Sequence, residues 1–193
     1  MRGRAFTDDE IRVHVHGRNN RHSIEYLIGQ TITKEQLEQL SERKEKTYRE
    51  MCLELGTEFK LSPGAIDLLE YLDAKGVERT IATASGKGNL EFFVEHLELE
   101  KWFEVSKIVY DDGERPGKPS PDVYQEAAKR LGQIPGRCVV IEDSQSGIEA
   151  AREAGIGKII GLGSSEKHDW LMNLEGVDDV VESLGEIVKE ELF

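Results

Sequence analysis

The apolar residues of this chain change their spacing once, near residue 61. Before that point they recur at helical steps. Ile11, Val13 and Val15 form a first group, and Ile24, Leu27 and Ile28 a second. Leu37, Leu40, Tyr48, Met51 and Leu55 form a third, long one. Two of these runs open on capping boxes, Thr7-Asp8-Asp9-Glu10 and Thr33-Lys34-Glu35-Gln36. In such a box the Thr hydroxyl accepts an orphan backbone N–H and the fourth residue reaches back. Gly17 and Gly56 supply the stops. Between the first two runs lies a polar, cationic loop, His16-Gly17-Arg18-Asn19-Asn20-Arg21-His22. Nothing in residues 1–60 reads as a strand.

From Leu61-Ser62-Pro63-Gly64 onward the pattern alternates. Pro63 suits the first position of a helix carrying Ile66, Leu68, Leu69 and Leu72, with Gly76 as its stop. Strands are then predicted at 79–84, 105–110, 138–141 and 158–162, with a weak one at 177–181. Helices are predicted at 89–97, 120–131 and 146–154, and at 183–191 behind a Ser-x-x-Glu box. Alternation at this spacing predicts an α/β fold with a parallel sheet and right-handed crossovers. The run Cys138-Val139-Val140-Ile141 reads as a strand buried on both faces.

Composition narrows the partners. The chain has 193 residues, room for one large domain or for a domain with a small appendage. Its 38 acidic residues against 25 basic ones give a net charge of −13. That balance disfavours nucleic acid and anionic membrane surfaces. An anionic small substrate is still allowed, because a few cations can reverse the field inside one cleft. Cys52 and Cys138 sit in apolar segments and read as free thiols of a reduced compartment. No apolar run approaches the roughly 18 residues of a membrane span, and Met1-Arg2-Gly3-Arg4 has no signal-type stretch behind it. The expectation is a cytoplasmic monomer.

Three predicted strand ends carry polar groups. Thr83-Ala84-Ser85-Gly86-Lys87-Gly88-Asn89 ends a strand in a hydroxyl and glycines and opens a helix, so Ser85 and nearby N–H groups suit an oxyanion. An ordinary helix cap is the plainer alternative. Gly117-Lys118-Pro119-Ser120-Pro121-Asp122 holds a lysine between Gly and Pro, a fixed point charge for a phosphate or carboxylate. Glu142-Asp143 pairs two acids at the carboxyl end of a strand, where open α/β sheets bind their ligands. Such a pair suits Mg²⁺, or else the Asp simply caps the next helix. Hydroxyl, lysine and paired acids together form a set for phosphoryl chemistry. A dinucleotide-binding domain is excluded, since no G-x-G-x-x-G follows the first strand.

The order Ser85, then Gly117-Lys118-Pro119-Ser120-Pro121, then Val140-Ile141-Glu142-Asp143-Ser144 with Gly147-Ile148-Glu149-Ala150-Ala151 and Ala154-Gly155 resembles the haloacid dehalogenase superfamily. More narrowly it resembles the β-phosphoglucomutase-like branch. The resemblance implies a Rossmann-like three-layer core at 61–193 and an all-α helical cap at 1–60. It implies that Ser85 bonds the phosphoryl group, Lys118 neutralises it, and Asp143, assisted by Glu142, ligates Mg²⁺. Arg18, Asn20, Arg21 and Lys44 of the cap, with Asn89, become candidate contacts for a small phosphorylated metabolite. A solvated loop is the plain alternative for the patch at 16–22. The implied activity is that of a sugar-phosphate phosphatase or phosphomutase working through an aspartyl-phosphate.

One part of the pattern is absent. The family's first motif, of DxDG type at the end of the first strand, supplies nucleophile and general acid/base, and no such sequence occurs in these 193 residues. Asp8-Asp9 sits at a helix start with no strand before it. The missing strand would lie centrally, between those ending at Ser85 and Asp143. Each unpaired buried backbone group costs roughly 1–3 kcal/mol, and domain stability is only roughly 5–15 kcal/mol. Either the neighbours close up, or another segment fills the slot, or the natural protein is longer. The last is the expectation. The alternative is a non-catalytic relative that binds phosphate or acts as an interaction module.

Overall fold

Both threonine capping boxes form. Thr7 Oγ accepts the Glu10 N–H at 3.2 Å while Glu10 takes the Thr7 N–H at 3.0 Å. Thr33 and Gln36 repeat the exchange at 3.2 and 2.9 Å. The computed structural model describes residues 5–192, so the expectation made for Met1-Arg2-Gly3-Arg4 lies outside the described residues. The first box starts α1 (Asp8–His14) and the second starts α3 (Lys34–Glu54). Between them α2 (Asn20–Ile28) begins earlier than the pattern suggests. Asn19 is its N-cap and accepts the His22 N–H at 3.0 Å, so half of the expected loop at 16–22 is the first turn of a helix. The described residues up to Phe59 contain helices and turns but no strand.

Pro63 does not start a helix. It lies in a turn, and α4 (Ala65–Ala74) begins after Gly64, whose φ is +79°. A side chain at Gly64 would overlap the backbone of Gly185, so glycine is required there for contact as well as conformation. The strands follow in the expected order but with shifted ends. β1 (Ala82–Gly86) pairs in parallel with β2 (Val109–Asp111). Both are later than 79–84 and 105–110, because residues 105–107 form a 3₁₀ turn and the ladder opens only where the Val109 N–H reaches the Ile81 carbonyl, 2.9 Å away. Helix α5 (Lys87–His96) lies between them and α6 (Asp122–Arg130) follows. Then β3 (Val139–Glu142), α7 (Gln145–Glu153) and β4 (Lys158–Leu162) form close to expectation.

Two elements near the end differ outright. Helix α8 (Ser165–Met172) was not expected. Its only inward anchor is Leu171, fully buried, beside a half-buried Trp170, which leaves no periodic stripe to read. The final helix at 183–191 is replaced by 3₁₀ turns at 184–186 and 189–191. Glu186 does bond the Glu182 N–H and the Ser183 hydroxyl, but Ile187 and Val188 are extended. Ile187 and Leu192 are instead drawn into the core against Leu68, Ile160 and Val181. Strand β5 (Asp179–Val181) completes the set.

The parallel sheet comes in two pieces. One is β1 with β2; the other is β3, β4 and β5 in that order. Alternation along β4 places Ile159 in a cluster with α6, α7 and α8, and Ile160 in a cluster with α4 and the C-terminal turns. A groove of about 1200 Å³ separates the pieces, lined by Ala82, Thr83 and Ala84 on one lip and Val139, Val140 and Ile141 on the other. Its walls include Leu68 and Leu72 of α4 and Ala127 and Ala128 of α6. Val139, Val140 and Ile141 are therefore half-buried, where the sequence predicts burial on both faces. Their outer neighbour β4 is in place; on the inner side there is a slot.

Candidate functional site

The carboxyl ends of β1 and β3 and the loop at 117–118 meet at one end of the groove. Lys118 is buried there. Its Nζ is in contact with Glu142 Oε1, donates to the Tyr124 hydroxyl at 3.0 Å and lies 3.4 Å from the Ala82 carbonyl. Glu142 turns inward from the end of β3. Besides Lys118 and the Tyr124 hydroxyl (3.0 Å), it accepts the N–H groups of Asp143 (2.8 Å) and Ser144 (3.0 Å) and the Ser144 hydroxyl (3.1 Å). Burial pushes the Glu142 carboxyl up, but the Lys118 ammonium and these donors outweigh it and hold it down at about 2. Tyr124 moves the other way, well above its ordinary value, through burial and the adjacent Glu142 charge. A side chain at Gly147 would fall on the Glu142 carboxylate, so the first turn of α7 closes over it.

Asp143 does not join the Lys118 contacts, although its carboxyl lies within hydrogen-bonding reach of Glu142. It is exposed at the rim of the groove, its carboxyl raised by partial burial and by the charge of Glu142. The paired acids of the sequence are thus divided: one is an internal counter-ion and the other faces the groove. Among the described residues no three His, Cys, Asp or Glu side chains gather around a common point. Mg²⁺ usually rests on one or two carboxylates with waters and substrate oxygens. Glu142 is fully engaged, so Asp143 alone is offered, and the described residues do not by themselves make a Mg²⁺ site.

Ser85 lines the same groove, as does Thr83 two residues earlier, whose Oγ accepts the Ser85 N–H at 3.0 Å. Thr83 also lines a small recess of about 20 Å³ with Asp111, Arg115 and Lys118, large enough for one water. Sequence reading passed over Thr83, although it stands on β1 together with Ser85, two residues before it. Asp111 was passed over too, because β2 was placed too early; burial raises its carboxyl.

The helices of residues 5–59 form the other wall. His16 O accepts the Ser146 hydroxyl at 3.2 Å, and Gly17 packs so closely on Ser144 and Ser146 that no side chain would fit. Arg18 lines the groove, donating to the Val13 carbonyl (3.1 Å) and the Lys118 carbonyl (3.2 Å). Asn20, Lys44 and Asn89 also line it, and all three meet on one residue the sequence did not single out, Glu45. Arg21 does not join them. It pairs with Glu25 at 3.0 Å and reaches the Ile32 carbonyl at 3.4 Å. Helix spacing explains this: Arg21 and Glu25 are one turn apart on the far face of α2.

Several known proteins are similar to this chain. The model of the haloacid dehalogenase-like hydrolases matches residues 4–155. A phosphorylated carbohydrates phosphatase of Thermotoga maritima is 32% identical over 160 residues, covering 83% of this chain and 71% of that one. A bifunctional riboflavin kinase/FMN phosphatase of Arabidopsis thaliana is 40% identical over 129 residues, 66% of this chain, and the match spans only 33% of that relative's length. Among solved structures, a HAD hydrolase of family IA, variant 3, from Entamoeba histolytica superposes with a TM-score of 0.85 at 36% identity, covering 99% of this chain and 84% of the other.

Proposed function

Because the chain belongs to the haloacid dehalogenase-like hydrolases, we propose that its groove binds a small phosphorylated metabolite for phosphoryl transfer. The observation that carries this is that Lys118, Thr83, Ser85 and Asp143 all line the groove between β1 and β3. Lys118 supplies positive charge in part offset by Glu142, the two hydroxyls and the start of α5 supply donors, and Asp143 supplies a carboxylate at the rim. The relatives named as phosphatases of phosphorylated carbohydrates and of FMN support the substrate class. A sugar phosphate is the favoured member, and phosphatase and phosphomutase remain the two forms of the activity.

The nucleophile is assigned to the slot. A parallel strand between β1 and β3 would place its carboxyl end beside Lys118 and Asp143, where a carboxylate could attack phosphorus. The new O–P bond of the aspartyl-phosphate would form as the substrate's own P–O bond breaks, and the substrate oxygen would leave as a hydroxyl by taking a proton from the second acid of that strand's motif. Mg²⁺ is the proposed cofactor, with Asp143 its ligand from this chain and further carboxylates coming from that strand. When bound, it would neutralise charge on the phosphoryl oxygens. Lys118, Ser85 and Thr83 bind and orient the phosphoryl group, and Arg18 and Lys44 of the helical wall face the same groove. A second reading, a non-catalytic phosphate-binding or interaction module, is favoured by the absence of a DxDG sequence from these 193 residues.

The two readings separate in a phosphatase assay. The 193-residue chain should not turn over 4-nitrophenyl phosphate with Mg²⁺. A version extended in front by an apolar strand ending in Asp-x-Asp-Gly should gain Mg²⁺-dependent turnover, and Asp143→Asn should remove it. An extended, folded version without turnover would leave the non-catalytic reading standing.

A further inference from the structure

The side of the groove lined by α3 and the start of α5 is organised around an acid. Glu45, on α3, has a side chain only 15% exposed and is paired with Lys44. Its carboxylate also accepts the Asn89 Nδ2–H and a hydrogen bond from the Asn20 side chain. Asn89 is itself buried in the first turn of α5, and its Oδ1 accepts the Arg49 guanidinium at 2.9 Å. Burial alone would raise the Glu45 carboxyl, but the bonds from Lys44, Asn20 and Asn89 prevail and hold it below its ordinary value. It is charged at neutral pH. Lys44, Asn20 and Asn89, donors that would otherwise greet an anion on this side of the groove, are bonded to an anion of the protein's own.

We propose that Glu45 is a specificity-determining residue, making this side of the groove accept a neutral, hydroxyl-bearing group and reject a second phosphoryl group. The inference rests on the phosphoryl-binding reading of the Lys118 end and adds which substrates that reading admits. A hydroxyl can donate to the Glu45 carboxylate and accept from Lys44 without disturbing either. A phosphoryl group can donate nothing at neutral pH, meets a like charge, and must take Lys44 and Asn20 away from Glu45. Like charges brought together across an interface discriminate strongly. The same geometry makes Asn20 and Lys44 contacts for hydroxyls, reached through Glu45, instead of clamps for a distal phosphate.

The test is binding, read by NMR shifts of the 193-residue chain titrated with inorganic phosphate, glucose 6-phosphate and glucose 1,6-bisphosphate. Expected is a preference of at least about tenfold for the monophosphate, about 1.4 kcal/mol. Glu45→Gln, which keeps the shape and the Asn89 bond, should erase most of that preference. Glu50→Gln, an equal change of charge at an exposed site on the same helix, should leave it intact. If Glu45→Gln does not fold, Lys44→Gln serves instead; it leaves Glu45 unneutralised and should widen the preference. Equal or tighter binding of the bisphosphate by the native chain overturns the proposal, as does a preference that the substitutions leave unchanged. If phosphate and both sugars fail to bind, the phosphoryl-binding reading itself falls, and this inference with it.

Discussion

Lys118 and Glu142 show how far residue types carry and where they stop. The Gly-Lys-Pro loop and the Glu-Asp strand end are visible in the sequence, but it cannot say that one acid turns inward to the lysine while its neighbour stays at the rim. That division comes from five donors converging on Glu142. It also fixes a pH dependence. The folded Glu142 carboxyl lies near 2, below its ordinary value of 4.5. Its contribution to stability is therefore complete above about 4.5 and is lost as pH falls toward 2. Asp143, held above its ordinary value, acts in the opposite sense and softens the slope. Lys118→Met should cost about 3–5 kcal/mol at neutral pH, because it strands a buried carboxylate. In the variant, acid should then restore stability by protonating Glu142. Urea unfolding of both proteins from pH 7 to pH 3 checks the reversal of slope; parallel curves would show that Lys118 is not the counter-ion. Glu45 was illegible for a different reason. It is one of many acids on a charged helix, and only the approach of Asn89, 44 residues away, sets it apart.

At the scale of elements, the sequence was most reliable where chemistry is local. The threonine boxes of α1 and α3 and the apolar runs of β3 and β4 needed no tertiary information. It failed where packing overrides local preference. The Ser183–Glu186 contacts form as a box should, yet the chain leaves the helix because burying Ile187 and Leu192 outweighs one more helical turn. Helix α8 forms because Leu171 is buried, not because its sequence announces a stripe. Ser144 lies between these cases. Its Oγ caps α7 by accepting the Gly147 N–H at 3.1 Å and also donates to Glu142. Ser144→Ala should cost about 1–2 kcal/mol, the upper part of the usual range for an N-cap, and should lower the thermal midpoint. A change within a few tenths of a kcal/mol would mean that the cap contributes nothing that water cannot replace.

For the whole molecule, the alternation of strands and helices correctly gave a parallel α/β fold, and the absent first motif pointed to a gap beside the strand ending at Asp143. The sequence could not show that the gap stays open: β1 and β3 neither close on each other nor are bridged by another described segment. Hydrogen exchange should record this. Amides of β4, paired on both sides, should exchange slowest, while alternate amides of β1 and β3 that face the groove should exchange early. Uniform protection across β1, β3 and β4 would show that the lips close in solution. The open seam also has a mechanical meaning. Along each half-sheet a load is shared by a ladder of hydrogen bonds, but across the seam it meets only helices and turns. The protein is stiff in one direction and compliant in the other, and a strand seated between the lips would act as the keystone that makes the two halves one arch.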